Sequence, residues 1–200
     1  TNRREVDTTI EYKHRYSLAT KVTDDLNYFI TRSFTPHREL ESFTDKRANT
    51  TTYEYTTGSP AYVRNLWKIH RPGVATPIIY AYIQDGINRV DTVTDAKGTL
   101  TDYNYDGFGN LVEIVYPAVP ISQNGETEQT LSSSEGFLYD STGRMYRSTN
   151  ADGVVSHYET IDPATGLFTQ TKVGNLQPDT YEYDIMGNVT QHKDPQNRVT

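Results

Sequence analysis

The chain has 200 residues, 34% of them hydrophobic, and carries 26 acidic against 19 basic side chains for a net charge of −7. That balance argues against a phosphate-tracking, nucleic-acid-binding surface, which needs clustered basic groups; the short basic runs Lys13–Arg15 and Lys68–Arg71 read as solvated loops. With no cysteine, disulfides and thiolate metal sites are excluded, and no apolar run approaches the roughly 18–20 residues of a membrane helix.

Sixteen tyrosines and abundant threonine favour strands, because flat and branched side chains pack well on a half-buried pleated surface. In chain order, an aromatic position recurs at Tyr12, Phe34, Tyr55, Tyr82, Tyr105, Tyr139 and Tyr183, with Thr160 as a degenerate copy between the last two. The spacing is close to 22 residues except across two expected insertions, Ser59–Gly73 and Pro117–Glu135. Self-similarity at such a period is the mark of a repeat architecture. The best unit reads as Val90–Thr94 (strand), Asp95–Gly98 (turn), Thr99–Tyr105 (return strand), Asp106–Gly109 (turn) and Leu111–Ile114 (next strand). Period-2 alternation places Tyr103 and Tyr105 on one face. Asp supplies the side-chain acceptor a tight turn needs, and Gly supplies its positive φ. Further copies follow at Phe137–Met145, with Tyr139, Asp140 and Gly143, and at Tyr181–Val189, with Tyr183, Asp184 and Gly187. A second motif, at Thr44-Asp45, Thr94-Asp95 and Thr149-Asn150, precedes Tyr53, Tyr103 and Tyr158 by eight residues from its Asp or Asn. The expectation is an all-β chain: tandem antiparallel hairpins across residues 1–200, about eight repeats, in one twisted sheet.

The segments Tyr103-Asn-Tyr105-Asp106-Gly-Phe-Gly109-Asn110 and Tyr181-Glu-Tyr183-Asp184-Ile-Met-Gly187-Asn188 resemble the YD repeat of the Rhs family, which includes bacterial polymorphic toxins, shell components of insecticidal toxin complexes, and teneurins. The resemblance implies a spiralling β-sheet forming a hollow shell around a C-terminal toxic or passenger domain, in a bacterial protein that is secreted or at the cell surface, cytoplasmic before export. Implied partners are the rest of that shell and the enclosed domain; the alternative is a surface module binding carbohydrate or protein. The family's autoproteolytic Asp-Pro-x-Gly pairs are matched only partly, by Asp162-Pro163-Ala-Thr-Gly166 and Asp194-Pro195, which also serve as repeat turns. The next aromatic falls due two residues past Thr200, so the chain is expected to be a fragment.

No catalytic constellation is expected. The acids recur at turn positions rather than as an isolated pair facing a cleft. The turns lack the dense oxygen donors calcium needs, and the five histidines (His14, His37, His70, His157, His192) lie far apart. No cofactor or metal is called for. Trp67, the single tryptophan, reads as a packing residue or, more sharply, as a carbohydrate contact. The residues expected to matter structurally are Tyr55, Tyr82, Tyr103, Tyr105, Asp106, Gly109, Tyr139, Asp140, Gly143, Tyr181, Tyr183, Asp184 and Gly187.

Overall fold

A computed structural model describes residues 8–13, 17–24, 26–57, 64–121 and 129–200. Every regular element among them is a β-strand, and no helix long and apolar enough to cross a membrane occurs. Contacts divide the chain into two units, Thr1–Leu100 and Thr101–Thr200.

The first unit is a meander of β1 (Thr9–Lys13), β2 (Leu18–Thr23), β3 (Phe29–Phe34), β4 (Leu40–Thr44), β5 (Thr50–Tyr55), β6 (Leu66–His70), β7 (Ile78–Tyr82) and β8 (Val90–Thr94). Each strand pairs antiparallel with the one before it. The β6 strand runs through the middle of the stretch Ser59–Gly73, which sequence spacing marks as an insertion. It is the regular partner of β5, with Tyr53 opposite Ile69. The extra residues lie outside β6, in the connections on either side of it, part of which (58–63) falls outside the described residues. The basic run Lys68–Arg71 reads from its charge as a solvated loop, but Lys68–His70 belong to this strand.

The second unit continues with β9 (Leu100–Tyr105, beginning at the division), β10 (Leu111–Val115), β11 (Val119–Ile121), β12 (Gln129–Leu131), β13 (Ser134–Tyr139), β14 (Met145–Thr149), β15 (Val155–Ile161), β16 (Phe168–Val173), β17 (Asp179–Tyr183) and β18 (Val189–Lys193). Here β10 pairs with β13, and β11–β12 form a separate two-stranded excursion between them. Both strands lie within the stretch expected as the Pro117–Glu135 loop.

Alternation along the strands sorts the side chains. Tyr80 and Tyr82, Tyr103 and Tyr105, Phe137 and Tyr139, and Tyr181 and Tyr183 are half-buried, while Ala81, Asn104, Leu138 and Glu182 between them are exposed. Among the described residues no side chain, apolar or polar, is fully buried. The described residues of each unit therefore form no enclosed core of the kind on which an ordinary domain of this size depends, and other interactions must set their register.

Candidate functional site

One turn recurs along the chain. At Asp24, Thr35, Asp45, Asp95, Asp106, Asp140, Asn150, Asp184 and Asp194 the first residue's N–H donates to the carbonyl four residues on, and its own carbonyl accepts from the N–H three residues on. The residue three positions on has φ of 63–92° in all nine, filled by Asn27, Arg38, Ala48, Gly98, Gly109, Gly143, Gly153, Gly187 and Asn197. This is the three-residue hairpin loop ending in a left-handed residue. A side-chain oxygen of the first residue accepts two further N–H groups, two and four residues on, at 2.8–3.3 Å. Only a short side chain carrying an acceptor can do so, which is why Asp, Asn or Thr stands there. The two sequence motifs, Thr-Asp and Tyr-Asp, are thus the same turn at opposite ends of a hairpin.

The second carboxylate oxygen is also held. Asn49, Asn110 and Asn188 donate Nδ2 to Asp45, Asp106 and Asp184 at 2.9–3.0 Å, and Arg89, Arg144 and Arg198 face Asp85, Asp140 and Asp194 as ion pairs. The Asn110 amide, with backbone N–H groups behind it, holds the Asp106 carboxyl below the usual carboxylate range, and Asn188 does the same for Asp184. No cluster of His, Asp and Glu suited to a metal ion occurs among the described residues.

A β-bulge follows the same register. Tyr12, Phe34, Tyr55, Tyr82, Tyr105, Tyr139 and Tyr183 each sit where the pairing shifts, leaving one unpaired residue on the next strand: Thr20, Glu41, Trp67, Asp91, Val112, Tyr146 and Thr190. The degenerate Thr160 lies in a pair without that shift. Bulges bend a strand and re-aim side chains.

Four of these tyrosines make a bond that sequence periodicity does not show. Tyr55 Oη donates to the Leu40 carbonyl (2.9 Å), Tyr82 to Leu66 (2.7 Å), Tyr139 to Leu111 (2.9 Å) and Tyr183 to Phe168 (2.8 Å). In three cases the acceptor is the residue opposite the preceding repeat's aromatic, beside its bulge. The hydroxyl thereby latches one hairpin to the one before it. Burial raises the Tyr55 and Tyr82 hydroxyls above the usual range, keeping them protonated donors. Phe34 and Thr160 cannot form this latch, which gives their degeneracy a chemical meaning. Ring contacts contribute locally: Tyr181 stacks on His192 at 4.8 Å and on Tyr183 at 6.5 Å, and Tyr158 meets Phe168 at 5.8 Å.

In the first unit, Thr35, Glu41, Tyr53, Glu54, Tyr55, Thr56, Thr57, Arg64 and Trp67 line a groove of about 570 Å³. Trp67 is 40% exposed, which departs from the packing role a lone tryptophan among apolar neighbours suggests. It is the unpaired bulge residue of β6. The Lys68 ammonium lies 3.6 Å from the Trp67 ring centroid. Arg64 pairs with Glu39, which also accepts the Thr35 hydroxyl. Burial pushes the Glu39 carboxyl up, but these two donors hold it below the usual range. Glu54 bonds His70 at 2.6 Å and lies 3.9 Å from Lys68. His192 bonds Asp179 at 2.7 Å, while His14 lies outside the described residues.

Residues 85–118 match the family model described as RHS Repeat, and the turn and bulge found there recur on both sides of that stretch. No curated protein matches the chain. Among solved structures, the crystal structure of TcdB2-TccC3-TEV is similar over 93% of this chain and 11% of its own, at 16% identity and a TM-score of 0.49. A Photorhabdus luminescens Tc holotoxin pore with a mutated TccC3 is similar over 93% and 12%, at 15% identity and a TM-score of 0.41. The chain thus spans about 11–12% of the length of these structures.

Proposed function

We propose that this array of Rhs (YD) repeats is a wall segment of a shell that encloses a toxin or passenger domain for secretion or delivery, acting by enclosure and not by catalysis. The observation that carries the reading is the absence of any buried residue among those described, alongside a regular set of turns, bulges and latches. Such a sheet is ordered by its backbone and its tyrosine hydroxyls rather than by a core. It can extend hairpin by hairpin while presenting a half-buried aromatic face on one side, as a wall must. Exposed edges are managed by continued pairing with further strands, so the partners are the remaining repeats of the same shell and the domain inside. The protein is secreted or displayed at the cell surface in this reading.

The test uses the complete polypeptide in which the array occurs. Limited proteolysis of the native protein should spare a passenger domain, and Tyr82→Ala with Tyr183→Ala should expose it to cleavage before global unfolding. A passenger cut equally fast in both proteins, or no passenger at all, defeats the enclosure reading. The second reading, a surface binding module for carbohydrate or protein, draws on the exposed Trp67; a glycan array showing selective capture by the native chain, lost in Trp67→Ala, would favour it.

A further inference from the structure

We propose that the groove around Trp67 is a binding site for an organic cation, a guanidinium or ammonium group such as a basic side chain carries. The proposal is independent of the wall reading and stands whether or not the array encloses anything.

Two bulges build the groove. Glu41 and Trp67 are the unpaired residues of two successive hairpins, so pairing across the sheet does not dictate their identity. Elsewhere the same position holds Thr20, Asp91, Val112, Tyr146 and Thr190, so its residue type varies from hairpin to hairpin. Here both side chains line one groove with Tyr53 and Tyr55. The lining combines π-faces with carboxylates, the pairing that recognises an organic cation.

Charge decides between a cation and a neutral sugar. Arg64, the one cationic side chain among the described lining residues, is neutralised by Glu39. Glu54 is shared with Lys68 and His70. The Glu41 carboxylate has no hydrogen-bond or ion-pair partner among the described residues, and it is exposed. An uncommitted acid facing an aromatic wall favours a positive guest. The Lys68 ammonium at 3.6 Å from the Trp67 centroid shows that this ring already takes a cation. One ammonium covers only one face of a ring, and Trp67 stays 40% exposed.

Because Trp67 is the single tryptophan of the chain, its emission reports the groove directly. The 200-residue chain is titrated with arginine methyl ester at constant ionic strength, with methyl α-glucoside and sodium chloride as controls. The expected result is a saturable change in Trp67 emission with arginine methyl ester, half-complete on the order of 1–10 mM, and none with the glucoside. Glu41→Gln, an exposed change that leaves the turns untouched, should weaken binding by about two- to five-fold, the scale of a solvent-screened ion pair. Its fold is checked by far-UV circular dichroism. No saturable change overturns the proposal. So does an equal response to the glucoside, or a Glu41→Gln chain that folds normally and binds arginine methyl ester as tightly as the parent.

Discussion

Tyr82→Phe removes one oxygen and keeps the ring, so it isolates the latch from aromatic packing. The Tyr82 hydroxyl is 2.7 Å from the Leu66 carbonyl and its side chain is half-buried. A neutral hydrogen bond in a protein contributes about 0.5–1.5 kcal/mol net. Water can reach a half-buried carbonyl and replace part of that, which places the expected loss at about 0.5–1 kcal/mol. For a chain of this length the melting temperature should fall by roughly 2–4 °C per kcal/mol, and urea unfolding should show the same loss at unchanged slope. Tyr55→Phe should behave alike, and its combination with Tyr82→Phe should depart from a simple sum, because the Tyr82 acceptor Leu66 is the residue opposite Tyr55. Tyr82→Leu should cost more than Tyr82→Phe, since it discards the ring as well. If Tyr82→Phe and Tyr55→Phe are both neutral within about 0.3 kcal/mol while Tyr82→Leu is costly, the hydroxyl does nothing and the ring alone matters; the latch is then no part of what holds the hairpins together.

Phe34→Tyr should gain a latch on the Ala19 carbonyl, the residue opposite Tyr12, and raise stability by up to about 1 kcal/mol in the same urea assay. Ala48→Gly should stabilise and Gly98→Ala destabilise, each by about 0.5–1 kcal/mol, since both stand at the positive-φ position and nothing crowds Gly98; equal stability of parent and both variants would refute the strain. Asp106→Asn should be mild and Asp106→Ala clearly worse in thermal melts, because Asn150 already makes the same two bonds in its own turn; the reverse order would mean that the carboxylate serves something other than the turn. The turn carboxylates of Asp45, Asp106, Asp184 and Asp194 have lowered folded-state pKa values. Their contribution is therefore full above the unfolded value of about 3.9 and lost as pH falls through the folded values. Melting temperature should hold level from pH 7 to 5 and fall below pH 4, and a rise there would contradict the assignment.

Much of the fold is legible in the sequence because the repeat is written in chemically specific residues. Val90–Thr94 occurs as read, and the Asp106 and Asp184 turns follow from the Asp, the Gly and the Asn behind them. The bond from Tyr82 to Leu66 could not be seen, since its partners lie 16 residues apart and a hydroxyl leaves no trace in a hydrophobic pattern. Thr35 was hidden as a turn residue for a different reason. It lacks the Asp and the Gly, with Arg38 at positive φ, yet its hydroxyl accepts the same two N–H groups. Trp67 reads as a packing residue from its apolar neighbours Leu66 and Ile69, yet neighbours in sequence do not decide exposure on a sheet whose described residues enclose no core. The eight-residue offset from Asp45 to Tyr53 is one strand crossed from the turn at its start.

The direction of the tyrosine latches gives the array an arrow. Every donor described stands later in the chain than its acceptor, so each hairpin fastens backward onto one already made. A ribosome delivers hairpins in that same order. The acceptor carbonyl is waiting when its tyrosine emerges, and no hairpin needs a latch from sequence still unsynthesised. The dependence runs one way: removing a tyrosine hydroxyl leaves a carbonyl of the preceding hairpin without its donor, so a defect in one unit is felt in the unit before it.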